Sequence, residues 1–410
     1  MMTAAEEVIG EHICCGIGSV PANVRKEDFS GRWPAKIKIY KGARDNLPDE
    51  MALCAAMDIF DLALNSTEND ILLVLMSGGG SALLPLPTPP LCLEEKLLAI
   101  KILSQAGATI QQLNTLRKHL SMVKGGHLAS VAYPAQVISL ILSDVVGDSL
   151  DTIASGPTYP NQSTPQDCLD IISSLDVWQM FPKSITQFLE IKRNECYIEH
   201  TFEHVHNVLV GSNRLALLEC QRKALHLGYY PVVLSSTLEG EARNVGMVFA
   251  TLCASLLHGD WEKVAVSAES LHCEQNILLD LRLGHKKPYC LIAGGETTVH
   301  VQGSGVGGRN QELALAAAIS LRELLSEDEF NRCVFLSAGT DGQDGPTSAA
   351  GAYGTADVVE IAQRDGLSPQ QFLEQNDSFS FYSTVCHGEY SLVTGHTGTN
   401  TMDIQLALVN

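Results

Sequence analysis

Short runs of valine, isoleucine and leucine alternate in the first half of the chain with longer stretches of helical periodicity. Apolar runs of four to eight residues bounded by turn residues are typical of buried strands, whereas apolar residues spaced three and four apart indicate a helix. This alternation is typical of an α/β protein with a mostly parallel sheet. The predicted strands are residues 37–40, 71–76 and 136–142, and the predicted helices are residues 49–64, 93–106 and 110–120.

The same alternation restarts near residue 208, after a polar segment at residues 161–206 that is rich in proline and charged side chains. Residues 208–213 indicate a strand and a small-residue turn, followed by a helix over residues 214–227. Further predicted strands are residues 231–234, 289–293 and 333–337. A chain of 410 residues exceeds the usual size of one core. We therefore predict two α/β domains, residues 1–205 and 206–410.

Composition and charge narrow the class of ligand. The formal net charge of −20 argues against nucleic-acid binding, so a site for an anion needs arginine, lysine or a metal placed against that background. The 12 cysteines include no C-x-x-C pair, which indicates free thiols in a reducing compartment. The sequence shows no signal peptide and no apolar run near the ~20 residues that span a bilayer. We expect a soluble, cytoplasmic protein with small-molecule partners and no membrane partner.

Two glycine-rich turns are the strongest candidates for ligand binding. The first, S-G-G-G-S-A at residues 77–82, follows the predicted strand 71–76, and the second, at residues 303–312, follows a β-type run at residues 297–301. Glycine lacks the Cβ that holds an anion away from the backbone. The first turn is not a Walker A loop, because no Gly-Lys-Ser/Thr follows it. The second matches G-x-G-x-x-G, but the polar residues after it make this weak evidence for NAD.

Charged residues near other turns have two interpretations each. Acids that follow two strands are candidates for Mg²⁺ or for a general base, because ligands in open α/β sheets bind beyond the carboxyl ends of strands. Aspartate beside glycine is also ordinary turn chemistry. The cations either supply a site with positive charge or end a solvated helix. The acids are Asp144, Asp148, Asp341 and Asp344, and the cations are Arg117, Lys118 and Lys124.

Taken in order, the turns resemble those of a known family, the glycerate kinases of the MOFRL type. The matching segments are SGGGSALL at 77–84, GATI at 107–110, NTLRK at 114–118, KGG at 124–126, SDVVGD at 143–148, IASGPT at 153–158, GGET at 294–297, GGRNQE at 307–312 and GTDGQDGPT at 339–347. The resemblance spans nearly the whole chain. It implies two Rossmann-like α/β domains with the active site in the cleft between them. It also implies phosphorylation of D-glycerate by ATP with Mg²⁺, with 2-phosphoglycerate as the favoured product.

The resemblance also implies roles for particular residues. Arg309 corresponds to the catalytic arginine of the family, and its planar guanidinium suits a phosphoryl group or a carboxylate. Which glycine turn holds ATP and which holds glycerate stays open. The residues implied in substrate or phosphate binding are Ser77, Gly78, Gly79, Gly80, Ser81, Arg117, Lys118, Lys124, Gly294, Gly295, Glu296, Asn310, Gln311 and Glu312.

The start of the sequence departs from the family pattern. The family carries a Gly-Lys-Ala turn with a catalytic lysine directly before the helix that residues 3–10 resemble, and this sequence starts inside that helix. We therefore hold a catalytically impaired, shortened isoform as the first alternative, with a mitochondrial location open for a longer isoform. The second alternative is a phosphosugar isomerase or an NAD-dependent oxidoreductase on a similar scaffold. The sequence leaves the oligomeric state open, with a homodimer among the candidates.

Overall fold

The computed structural model describes residues 1–25, 34–193, 202–273, 276–284 and 287–410. The chain forms two compact units. The first unit consists of residues 1–143 and 148–210, and the second of residues 144–147 and 211–410. The strand at Val205–Gly211 spans the position at which the sequence predicts the domain boundary.

The first unit alternates helices with short parallel strands. Strands β1 and β2 pair in parallel, β3 and β4 also pair in parallel, and β5 lies next to β4. The elements are α1 (Met2–Ile9), β1 (Gly16–Pro21), β2 (Ile37–Gly42), α2 (Glu50–Leu64), β3 (Ile71–Met76), α3 (Gly80–Leu83), α4 (Leu93–Gln105), α5 (Ile110–His119), α6 (His127–Ala132), β4 (Gln136–Leu142), α7 (Pro165–Ser174), α8 (Lys183–Arg193) and β5 (Val205–Gly211).

Helices α4, α5, α7 and α8 share an apolar core in the first unit. Helix α5 begins with a capping box, in which Thr109 Oγ1 accepts from the backbone N–H of Gln112 and Gln112 Oε1 accepts from the N–H of Thr109. The buried face of α4 contains Leu93, Ala99 and Leu103, and the same helical spacing places Lys96 on that face. A charged side chain is thereby directed toward the interior.

The second unit is built on one mixed sheet. Its strand order is β10-β9-β8-β11-β7-β6, in which β6 and β7 are parallel and the other neighbours antiparallel. The elements are α9 (Asn213–His226), β6 (Tyr230–Leu238), α10 (Ala242–His258), α11 (Trp261–Ser270), α12 (Ile277–Gly284), β7 (Tyr289–Gly295), α13 (Arg309–Leu324), β8 (Cys333–Gly339), β9 (Gly351–Gly354), α14 (Ala356–Arg364), α15 (Pro369–Glu374), α16 (Ser378–Thr384), β10 (Ser391–Leu392) and β11 (Asp403–Val409).

Successive residues of β7 pack on opposite faces of this sheet. Leu291 and Ala293 join the large core formed with α10 and α13, whereas Cys290 and Ile292 pack with α9. This alternation follows from the two-residue repeat of a strand. The second unit therefore has helix, sheet and helix layers, and α13 carries Arg309 at its first residue.

The predicted α/β class is confirmed. The predicted strands at 71–76 and 136–142 match β3 and β4 residue for residue. The prediction of a β-type run at residues 297–301 is wrong. Strand β7 already ends at Gly295, where a φ of +146° turns the chain. Beyond it, the segment contains an isolated bridge from Thr298 to Glu241. Within the described residues, no helix is both long enough and apolar enough to cross a membrane.

Candidate active-site residues

The first glycine turn joins β3 to α3. Gly79 has a φ of +78°, in the left-handed region that favours glycine. A Cβ on Gly80 would lie 2.6 Å from the Cβ of Ala154, so the turn packs closely on the loop at residues 153–156. In α3, Ser81 Oγ lies 3.1 Å from Ser155 Oγ, within hydrogen-bond distance. The turn thus directs a hydroxyl toward this second loop.

A chain of polar side chains continues from this serine pair to Arg117. Ser155 Oγ donates to Asn114 Oδ1 at 3.1 Å, and Arg117 Nη1 donates to the same oxygen at 3.0 Å. Ala154 and Ser155 have φ values of +51° and +61°, which are uncommon for residues with a Cβ. Such conformations cluster at ligand sites, where surrounding structure fixes them. The chain connects the glycine turn to a cation that the sequence also predicts in the site.

Lys124 lies on a turn that is fixed to the same loop. The N–H of Gly125 donates to Ser155 O at 2.9 Å, and the N–H of Gly126 donates to Gly156 O at 2.7 Å. The Lys124 side chain reaches the carbonyl oxygen of Ala154 at 3.2 Å, and the residue is only 1% exposed. A predicted cation is therefore buried beside the predicted serines.

Lys118 has a different environment from Lys124. Its ammonium forms a salt bridge with the carboxylate of Asp151. This charge is compensated within the protein, so Lys118 is better suited to hold the loop at residues 149–156 than to bind a ligand anion.

Lys96 is a buried cation that the sequence analysis did not single out. It is 4% exposed, and its Nζ lies 3.5 Å from the carbonyl oxygen of Pro85. The signal in the sequence was its spacing, three residues after Leu93 and three before Ala99 on an apolar helix face. Lysine at such a position is rare, because burying an ammonium without a partner is costly.

Lys96, Arg117 and Lys124 influence one another, and we call them the basic cluster. Burial lowers the pKa of all three side chains. The positive charge of Arg117 lowers the pKa of Lys96 further, to about 7, and both neighbours lower the pKa of Lys124. Within the described ranges, no ion pair joins any of the three to a carboxylate. Three basic side chains buried together favour an anionic ligand. The chain as a whole is acidic, so an anion needs a locally basic site of this kind.

Valine in place of Gly79 should weaken anion binding by the first unit. The left-handed φ strains a β-branched residue, although the nearest atoms, at 3.7 and 3.8 Å, leave room for its Cβ. Relief of that strain shifts α3 and separates Ser81 from Ser155. Calorimetric titration with ATP and with D-glycerate should show one of the two weakened. Gly228→Val, at a φ of +91° in the second unit, is the control for strain alone. Unchanged binding of both ligands would make the turn purely structural.

In the second unit, Arg309 is held by two carboxylates. Its Nε and Nη2 donate to Asp403 Oδ2 and Oδ1 at 2.5 and 3.0 Å, and its Nη1 contacts Glu296 Oε1 at 2.8 Å. Burial by itself lowers the pKa of Arg309, but the bonds and charge of Asp403 raise the pKa above its usual value on balance. The Arg309 side chain is 34% exposed. The guanidinium is therefore charged, fixed in direction and still accessible.

Asp403 is a functional neighbour that the sequence analysis missed. It is the first residue of β11 and pairs in register with Gly295 of β7 and Gly339 of β8. Its side chain is fully buried, and burial raises the pKa of Asp403 while the bonds from Arg309 oppose that shift. A single aspartate beside a short apolar run gives no sequence signal of a partner 94 residues away.

The glycines of the second turn pack against protein atoms. A Cβ at Gly303, Gly305 or Gly307 would lie 2.2 to 2.3 Å from atoms of residues 375–378. The N–H groups of Gly303 and Val306 donate to the side chains of Asn376 and Asp377, at 2.9 Å each. These glycines therefore permit close packing of two loops, which differs from the predicted approach to an anion.

Asn310 and Gln311 are buried and bind the carboxylate of Asp344. The backbone N–H and the side-chain amide of Asn310 donate to Asp344 Oδ1 at 3.0 and 3.2 Å. The corresponding groups of Gln311 donate to Asp344 Oδ2, both at 2.9 Å. Asp344 thus caps the start of α13, which has no side-chain cap of its own. All three residues were predicted in the ligand site, and here they orient the helix that carries Arg309.

Glu312 belongs to a second structural network. Arg243 Nε donates to Glu312 Oε1 at 2.6 Å, and Asn376 Nδ2 donates to Glu312 Oε2 at 3.0 Å. The other side-chain atom of Asn376, Oδ1, accepts from the N–H of Gly303 at 2.9 Å. Glu312 therefore helps to hold Asn376 in the position at which it binds the glycine run.

Gly294 and Gly295 make room for neighbouring elements at the end of β7. A Cβ on Gly294 would lie 2.1 Å from Asn213 Oδ1, and one on Gly295 would lie 2.3 Å from Leu238 O. Both positions therefore require glycine for packing. The next residue, Glu296, is directed to Arg309.

The remaining acids differ in environment. Burial, followed by the charge of Glu296, raises the pKa of Asp144. Asp148 has a buried Oδ1 with no hydrogen-bond partner among the described residues. Asp341 Oδ1 accepts from the N–H of Gln343 at 2.9 Å, which is turn chemistry. Throughout the described part of the chain, no three His, Cys, Asp or Glu side chains converge as a metal cage.

Several known proteins resemble this chain in sequence and in structure. Residues 1–190 match the domain of unknown function DUF4147, and residues 289–403 match the MOFRL family. The glycerate kinase of Rattus norvegicus is 45% identical, over 99% of this chain and 81% of its own length. The D-glycerate 2-kinase of Thermotoga maritima is 36% identical, over 100% and 88%. The crystal structure of a glycerate kinase from Thermotoga maritima has a TM-score of 0.84 at 34% identity, covering 100% of this chain and 88% of that one.

The α/β fold and these relatives together define a kinase, an enzyme that transfers a phosphoryl group. The chain belongs to the glycerate kinase family of the MOFRL type. The resemblance drawn from the turns of the sequence is thereby confirmed.

Proposed function

We propose that this protein transfers the terminal phosphoryl group of ATP to D-glycerate, and that the 2-hydroxyl is the acceptor. The main support for this reaction is the similarity, over nearly the full chain, to proteins named glycerate kinase. The name of the Thermotoga maritima relative, D-glycerate 2-kinase, supports the choice of hydroxyl.

The chemistry of phosphoryl transfer agrees with the side chains that each unit offers. This reaction needs chiefly positioning and stabilisation of negative charge. Arg309 offers a planar cation whose direction is fixed by Asp403 and Glu296. In the first unit, the buried basic side chains of Arg117 and Lys124 lie beside the loop that contacts the glycine turn. Both substrates are anions, so each unit has groups that suit them.

We propose that Asp144 and Glu296 would hold the Mg²⁺ that accompanies ATP, and that this ion would neutralise charge on the phosphates. Mg²⁺ in nucleotide sites is usually held by one or two carboxylates together with phosphate oxygens, so a cage of three acids is not needed. Asp144 and Glu296 suit a divalent cation, because the negative charge of Glu296 raises the pKa of Asp144. A bound cation would relieve the repulsion between the two carboxylates. Asp344 does not fit, since four N–H groups occupy its carboxylate.

The two alternatives have less support. The relatives named kinase offer nothing in favour of a non-catalytic derivative. The oxidoreductase form of the second alternative needs a dinucleotide-binding turn, in which the backbone is open to the pyrophosphate of NAD. At Gly303 and Gly305 the space for it is filled by Gln375 and Asp377.

The test is a phosphorylation assay coupled to enolase, without phosphoglycerate mutase. Enolase acts on 2-phosphoglycerate, so absorbance of phosphoenolpyruvate should rise when ATP, Mg²⁺ and D-glycerate are all present. Adding mutase should not increase the rate. Because enolase itself needs Mg²⁺, the metal dependence of the kinase is measured separately, as ADP formed in reactions without enolase, and EDTA should abolish that ADP formation. A signal that requires mutase would show that the 3-hydroxyl is phosphorylated. No ATP consumption with D-glycerate would contradict the proposed reaction itself.

A further inference from the structure

We propose that Lys96 is a ligand-binding residue, and that it holds an oxyanion group together with Arg117 and Lys124. The group is a carboxylate or a phosphate, which D-glycerate and ATP respectively supply. Naming these two molecules rests on the proposed function. The binding of an oxyanion does not.

Geometry places Lys96 near the turn that carries Lys124. The Nζ atom lies 3.5 Å from Pro85 O, and the next carbonyl oxygen, of Leu86, accepts from Ser121 Oγ at 3.1 Å. Ser121 lies three residues before Lys124 in the chain. Helix α4 also packs on α5, which carries Arg117. Three separate elements therefore bring their cations to one buried region.

Nearby acids do not neutralise Lys96. Glu95, on the same helical turn, accepts from Ser184 Oγ at 2.5 Å and from a backbone N–H at 3.0 Å. Asp151 forms its salt bridge with Lys118. An ammonium has three N–H donors, and the one hydrogen bond recorded for Lys96 among the described residues is long. An oxyanion supplies the acceptors and the negative charge that this ammonium lacks.

The electrostatics give the site a pH dependence. Burial and the charge of Arg117 lower the pKa of Lys96 to about 7, so the free protein exchanges this proton near neutrality. Other titratable groups near this region, among the described residues, are Lys124, whose pKa is also lowered, and His119, whose pKa burial lowers to about 4. His127 contacts Ser121 O through Nδ1 at 2.6 Å, and Lys118 and Asp151 form a compensated pair. A bound anion favours the protonated amine. Anion binding therefore takes up a proton above about pH 7, and affinity declines as pH rises.

The experiment is calorimetric titration of the full chain with sulfate, D-glycerate and ATP, for the wild type and for Lys96→Met. Methionine has similar length and no charge. We expect at least one anion to bind about tenfold more weakly to the variant, the loss of a charge-assisted hydrogen bond. A loss confined to D-glycerate identifies the carboxylate, and a loss confined to ATP identifies a phosphate. Lys101→Met, on an exposed position of the same helix, is the matched control.

Two further measurements separate binding from structure. Sulfate and D-glycerate keep their charge from about pH 6 to about pH 9. Affinity of the wild type for the affected anion should fall across this range, and Lys96→Arg, which keeps its charge, should reduce that slope. Thermal unfolding of Lys96→Met should be unchanged or shifted to higher temperature, because the variant no longer buries an uncompensated amine.

The outcomes distinguish this inference from the proposed function. If Lys96→Met binds all three anions as the wild type does, Lys96 is only a core residue and the inference is wrong. If the affinities of the wild type and Lys96→Arg show the same pH dependence, the proton linkage is wrong. If the wild type does not phosphorylate D-glycerate but its sulfate binding depends on Lys96, the proposed reaction fails and the anion site stands.

Discussion

Lysine in place of Arg309 should lower kcat for glycerate phosphorylation by about 10²–10³-fold, the usual cost of removing one group that stabilises transition-state charge. Lysine keeps the positive charge but cannot make the two parallel bonds to Asp403 while also contacting Glu296. The remaining cation has no fixed direction. Steady-state kinetics with saturating ATP measure the effect.

A matched variant distinguishes catalysis from general loss of stability. Arg322 lies on the same helix and donates to Glu360 at 2.8 Å, so Arg322→Lys breaks a comparable pair away from the helix start. It should leave kcat within about twofold of the wild type, as expected for a surface ion pair. Thermal unfolding of both variants tells whether folding changes. Near-normal kcat for Arg309→Lys would contradict its catalytic assignment.

Alanine in place of Asp344 should destabilise the second unit by about 3 kcal/mol or more. The change leaves four buried N–H groups of Asn310 and Gln311 without their acceptor, and each unsatisfied donor costs about 1–3 kcal/mol. The start of α13 then loosens, and Arg309 with it. Urea unfolding measures the free energy directly.

Asp341→Ala is the control for that experiment, because Asp341 is a neighbouring acid that accepts one exposed backbone N–H, from Gln343. Its unfolding free energy should change by less than about 1 kcal/mol. If Asp344→Ala were as stable as this control, the carboxylate would not be the cap of α13. That result would instead favour the role for Asp344 in Mg²⁺ binding or as a general base that the sequence suggests.

Local sequence patterns predicted the elements that carry the first site. The run at Ile71–Met76 is uninterrupted and apolar, so its period and length indicated a buried strand. The glycines after it predicted a tight turn, and Gly79 has the positive φ that only glycine adopts freely. Arg309 followed from the resemblance of a short, continuous motif. Each of these features is determined by residues adjacent in the chain.

The sequence alone established the α/β class, the family and the requirement that an acidic chain carry locally placed cations for an anionic ligand. Only the tertiary structure decided which residues surround those cations. Asp403 reaches Arg309 because β11 inserts between β7 and β8, and Lys96 is a binding candidate because α4 packs it inward beside Arg117. The physical reason is that burial and charge compensation depend on partners distant in sequence, and the pattern around one residue does not record them.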